Sequence, residues 1–171
     1  MVSWRISSFY QNLGGNEMLR ESFKVLLKET FDGPGGNGSW YTESKPGSGI
    51  FGTLEKVSAE EASILVQGTT IAAHIDHTRY YLWVANAFMK GDKPELDWSE
   101  SWKISTVDES TWSRFKVELQ NVYTTLLENI NSFTSFDEQT LNGILGALAH
   151  SAYHLGAIRQ MTKTIKVPSQ T

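Results

Sequence analysis

Two of the four histidines, His150 and His154, stand four residues apart in the run Leu148-Ala149-His150-Ser151-Ala152-Tyr153-His154-Leu155-Gly156-Ala157-Ile158-Arg159-Gln160, which reads as helix. At ~1.5 Å rise and ~100° per residue, four steps place two imidazoles ~6 Å apart on one face. That spacing lets both reach one metal ion, as in the H-E-x-x-H helices of zinc enzymes. The other two, His74 and His77, lie three residues apart in a second helical stretch. A third ligand would come from such a facing helix, because metal sites in helix bundles are built between helices. Both His74 and His77 qualify by position. Three imidazoles with one open position is a zinc arrangement, and imidazole also suits nickel, copper and iron. The competing reading is structural. Gly146, Ala147 and Ala157 flank the pair, and small residues also serve simply to let two helices approach, with the histidines as ordinary core residues.

Composition narrows the function classes. With 171 residues, 40% hydrophobic and 20% charged, the chain has the material for one globular domain, taken as 1–171. A net charge of -4 attracts neither nucleic acid nor an anionic membrane surface. The chain has no cysteine. That excludes disulfides, cysteine-ligated zinc, iron–sulfur clusters and a protein thiol nucleophile. Any thiol in the chemistry must arrive as a cosubstrate. Residues 1–16 lack the unbroken apolar core of a signal peptide. The apolar run Tyr80–Met89 is short and contains Asn86. A soluble, cytoplasmic protein without nucleic acid or membrane partners is therefore the expectation.

Four long amphipathic segments must position the histidines. Asn16 is a candidate cap for a helix with Met18, Leu19, Phe23, Leu26, Leu27 and Phe31 on its apolar side. It stops at Asp32-Gly33-Pro34-Gly35-Gly36. Residues 33–57 form a long glycine-rich connection. Ser58 and Glu61 have capping-box spacing and predict a short helix to about Val66. The next helix spans about Ile71–Lys90, carries His74 and His77, and is apolar over a wide face through Tyr81, Leu82, Val84, Ala85 and Phe88. A linker over 91–107 contains Trp98 and Trp102, either packing or facing a substrate. Asp108 and Ser110 are candidate caps for a helix to about Phe133. The last helix runs from about Glu138 to Ile165, with Leu141, Ile144, Leu145, Leu148, Ala152 and Leu155 as its packing stripe. Trp4, Phe9 and Tyr10 are read either as packing on the main body or as a loosely docked arm, and Pro168 lies beyond the last helix. Strand-like alternation is missing, so the fold class is all-α, a four-helix bundle with long connections.

The run His150-Ser151-Ala152-Tyr153-His154-Leu155-Gly156-Ala157-Ile158-Arg159-Gln160 resembles the last-helix signature of the DinB/YfiT superfamily, H-x-x-x-H followed by a small residue and often I-R-Q. The stretch Thr69-Thr70-Ile71-Ala72-Ala73-His74-Ile75-Asp76-His77 is similar to its second-helix entry. There a capping Ser/Thr precedes a ligand histidine by about two turns, which matches His77. The alternative alignment, aliphatic-Ala-His-aliphatic, matches His74. The resemblance implies an up-down-down-up four-helix bundle, commonly a homodimer. It also implies a divalent metal, zinc or nickel, held by three histidines: His77, His150 and His154, with His74 as the alternative to His77. Characterised relatives include transferases that use low-molecular-weight thiols such as bacillithiol and mycothiol. Water in place of the thiol would make a hydrolase, and an ion with no exchangeable position would make a non-enzymatic interaction bundle. Asp76 and Tyr153 neighbour the histidines but point ~100° away and carry no assignment. Arg159 would be a surface charge or would steer an anionic substrate.

Overall fold

The computed structural model describes residues 14–36 and 38–166. Trp4, Phe9, Tyr10 and Pro168 lie outside them. The described residues form an all-α fold of six helices: α1 (Gly15–Phe31), α2 (Ile50–Leu54), α3 (Ala59–Ala62), α4 (Ile71–Met89), α5 (Glu109–Ser132) and α6 (Glu138–Lys166). A single 3-10 turn, Glu100–Trp102, interrupts the linker between α4 and α5. No helix of the described residues is long and apolar enough to cross a membrane.

The helix starts follow from short side chains that reach back to the first-turn amides. Thr70 Oγ1 accepts from Ala73 N–H at 3.1 Å and opens α4. Asp108 Oδ1 accepts from Thr111 N–H at 2.7 Å and opens α5. Asp137 Oδ1 accepts from Thr140 N–H at 2.7 Å at the start of α6. Ser58 and Glu61 close the expected capping box on α3. That helix ends at Ala62 rather than Val66. Val66 and Thr69 instead pair across Gln67 (φ 49°) and Gly68 (φ 88°), two left-handed residues that make a tight reversal. α1 also departs from expectation: Gly14 is its N-cap, and Asn16 lies within the first turn. A glycine cap is only a few tenths of a kcal/mol worse than asparagine, so packing decides the start. Within the connection after α1, residues 50–54 wind into α2.

α4 is the central element. It packs on α5, on α6 and on the 3-10 turn, while α1 packs on α6 and α5. Ile71 through Thr78 are all buried. Asn86 locks α4 to α5: its Nδ2 donates to Val122 C=O at 2.8 Å, and its Oδ1 accepts from Asn129 Nδ2 at 2.9 Å. Tyr123 ties α5 to the end of α1, stacking on Phe31 at 4.5 Å and donating its hydroxyl to Asp32 at 2.6 Å. Leu27, Phe31, Leu82, Trp112, Leu126 and Ile144 belong to one hydrophobic core. Four residues expected on apolar stripes, Met18, Leu19, Phe88 and Leu145, are exposed instead. They lie at the edges of their stripes, where no neighbouring helix covers them.

Among the described residues Trp112 is the largest fully buried side chain, and its Nε1–H donates to Val57 C=O at 2.9 Å. Trp112→Ala should lose about 4 kcal/mol of stability, through the cavity and the unpaired carbonyl. Trp112→Phe, which keeps most of the volume, should lose about 1–2 kcal/mol. Urea unfolding checks both, and equal losses would mean the cavity contributes little.

Candidate metal centre

The four histidines converge between α4 and α6. The Cβ directions along α4 aim His74 and His77 at α6, and the i, i+4 spacing on α6 aims His150 and His154 back. Nitrogens of His77, His150 and His154 all lie within 4.8 Å of one another. His150 Nε2 and His154 Nε2 are 3.1 Å apart. Two nitrogens each about 2.1 Å from one tetrahedral ion are separated by about 3.4 Å, so this pair is nearly at ligand spacing. His74 meets the cluster from behind, its Nδ1 2.8 Å from His154 Nδ1.

The 3-10 turn settles the tautomer of His77. Ser101 Oγ donates its hydrogen to Trp98 C=O at 2.8 Å. It can therefore only accept from His77 Nδ1, also 2.8 Å away. His77 carries its proton on Nδ1, and the lone pair on Nε2 is left for the cluster. Ser101 is 2% exposed, so water does not compete for this bond. The His74–His154 contact also needs one proton. With that proton on His154 Nδ1, His154 presents an unprotonated Nε2 toward His150.

Burial keeps the cluster neutral. Removal from water pushes His154 down to about 3, helped by neighbouring His150, His74 and His77. It pushes His150 down to about 4, helped by His77. His74 is lowered by burial and by His77. For His77 burial outweighs the opposing pull of Asp76 and lowers it too. Four imidazoles are thus held in the basic form that binds metal.

Aromatic rings brace the imidazoles. Trp102 stacks on His77 at 4.3 Å and 24°, and Tyr81 stacks on His150 at 3.8 Å and 14°. Trp98 and Trp102 are each 42% exposed, so both tryptophans pack inward and face solvent. Asp76 is engaged by Arg79 at 2.5 Å, and Arg79 also pairs with Glu118 on α5 at 3.0 Å. Tyr153 is exposed. Arg159 pairs with Glu43 in the α1–α2 connection at 2.5 Å. Sequence reasoning missed Ser101, which has no periodicity to mark it. From the sequence Tyr81 reads only as a packing residue, although it lies four residues from His77 on the same ridge.

Comparison with family models, curated proteins and solved structures gives no match to this chain.

Proposed function

We propose that His77, His150 and His154 hold a divalent metal ion, zinc or nickel, and that the protein is a metal-dependent enzyme acting on a small molecule. The observation that carries this reading is the Trp98–Ser101–His77 chain of hydrogen bonds, which directs an unprotonated Nε2 into a cluster of two further imidazoles. The donor set fits such an ion: three neutral nitrogens, near-ligand spacing on α6, and partners on the far side of His77 and His154. Bound there, the ion would supply positive charge that lowers the pKa of a thiol or water brought against it. The chain's own groups do the rest. Ser101 holds the His77 ring, His74 holds the His154 ring, and the stacked Trp102 and Tyr81 shield two imidazoles from water.

A low-molecular-weight thiol as cosubstrate agrees with a chain that has no cysteine and with the DinB/YfiT-like motif on α6. The same reading includes the up-down-down-up arrangement of α1, α4, α5 and α6 and a homodimer. A hydrolase would use the same ligands with water in place of the thiol. Three ligands, rather than four, favour an ion with an exchangeable position over a closed structural site.

Two measurements test the proposal. Elemental mass spectrometry of untagged protein, prepared without chelator, should find about one equivalent of metal per chain. The cobalt-substituted protein should change its visible spectrum when a thiol is added. Failure to take up zinc, nickel or manganese would sink the metal reading. A cobalt spectrum indifferent to thiol and azide would leave a structural ion.

A further inference from the structure

A cavity of about 500 Å³ opens between the C-terminal half of α4 and the N-terminal half of α6. Its size falls in the range of about 300–1,000 Å³ that small-molecule sites occupy. Val84, Ala85, Phe88 and Met89 line one side, and Gly143 lies on the other. The end nearest the histidines is walled by Tyr81 and Trp98.

Those two residues stand between the cavity and the histidine cluster and touch both. Tyr81 lies flat on His150. Trp98 lies 6.0 Å from the Tyr81 ring and 6.4 Å from the His77 ring, centre to centre. A molecule in the cavity would thus lie one aromatic ring away from the imidazoles. Asp137 is the only charged group among the lining residues, at the end remote from the histidines, with Gln139 and Thr140 beside it. Gly143 borders open space at this wall: a Cβ there would meet nothing within 4 Å.

We propose that this cavity binds the apolar, aromatic body of an uncharged or cationic small molecule, stacked against Trp98 and Tyr81, and thereby defines the substrate class of the adjoining histidine site. The assignment of a substrate role rests on the metal-site reading; occupancy of the cavity does not. Aromatic walls favour a planar body. The lone carboxylate disfavours an anionic one, an effect weakened by solvent at the mouth.

The test uses N-phenyl-1-naphthylamine and its sulfonated analogue 8-anilino-1-naphthalenesulfonate, two fluorescent probes that share an aromatic body and differ in charge. The neutral probe should bind the wild-type chain saturably, near one per chain. Gly143→Phe adds a ring at the cavity's edge, where a Cβ meets nothing within 4 Å, and improves helix propensity, so the fold should survive, as far-UV circular dichroism would verify. It should weaken the neutral probe at least about tenfold, as the loss of most of an apolar contact implies. Trp98→Ala should weaken it several-fold. Asp137→Ser keeps the helix cap and should narrow the preference for the neutral over the sulfonated probe by about threefold. Stripping bound metal from the wild-type chain with a chelator should leave neutral-probe binding intact, which separates this test from the fate of the metal reading. Unsaturable binding, or binding unchanged in a folded Gly143→Phe chain, would overturn the proposal. So would a wild-type dimer that Gly143→Phe converts to a monomer, because the groove would then be an interface between copies.

Discussion

Replacing His154 by alanine should abolish stoichiometric metal binding, a loss of at least about a thousandfold, and His150→Ala and His77→Ala should do the same. In the proposed site each removes one of three nitrogens gathered within 4.8 Å, and two-ligand sites hold such ions poorly. His74→Ala and Ser101→Ala should behave differently. They remove partners of His154 and His77, not ligands, and should weaken binding by about 10–100-fold while keeping one ion at saturation. Titration with a chromophoric competitor, paired with elemental analysis, separates the two groups. Should His74→Ala lose the ion and His77→Ala retain it, the ligand set must be redrawn around His74. A thermal melt guards against simple misfolding: at one hundred times its dissociation constant the ion should stabilise the wild-type chain by about 2.7 kcal/mol, and should not stabilise the ligand variants.

The same site dictates a pH response. His150 and His154 titrate at about 4 and about 3 in the folded chain, against an ordinary 6.5. Folding therefore favours their neutral forms. Their contribution to the metal-free chain is complete above pH 6.5 and is lost as pH falls through 4 and then 3. Metal affinity should fall in the same direction, since protons compete for the same nitrogens.

The second large effect lies far from the histidines. Glu29, near the end of α1, is 2% exposed and is the anchor of the connection that follows. It accepts from Ser39 Oγ at 2.6 Å and Trp40 N–H at 2.8 Å. Tyr41 N–H at 3.0 Å, Thr42 N–H at 2.9 Å and Thr42 Oγ1 at 2.7 Å complete the set. Burial by itself would raise this carboxyl. The hydrogen bonds, led by Ser39, outweigh it and hold the group down at about 2, against an ordinary 4.5. The difference is worth about 3 kcal/mol, present above pH 4.5 and lost as pH falls through 2. Glu29→Gln should therefore cost about 3 kcal/mol at pH 7 and only about 1 kcal/mol at pH 3. Urea unfolding of both chains at both pH values reads this directly, and the histidine contribution cancels in the difference. Hydrogen exchange at Trp40, Tyr41 and Thr42 should quicken in the variant. A cost independent of pH would mean that the ionised carboxylate is not what holds the loop.

Much of the fold is written locally. Thr70, Asp108 and the Ser58–Glu61 box could be recognised as helix starts because each bond closes within three residues. The helical stripes placed Phe23, Leu27, Trp112, Leu119, Ile144 and Leu155 in the interior, where they are found. The facing of His150 and His154 follows from helix pitch alone. Sequence could not decide how far each stripe extends. Leu145 and Phe88 continue the apolar pattern of their helices but lie exposed, since exposure depends on where the next helix passes. Nor could it foresee that Glu29 would be enclosed by a loop ten to thirteen residues away. The site shows the same division. His74 and His77 sit on adjoining positions of one helix, and spacing offers both to a metal. Their different surroundings come from contacts across 80 residues, His74 to His154, and across 24, His77 to Ser101. Those contacts exist only once α4, α6 and the 3-10 turn have packed. A hydrogen bond that sets a tautomer acts over less than 3 Å, and no periodicity along the chain encodes which distant hydroxyl will supply it.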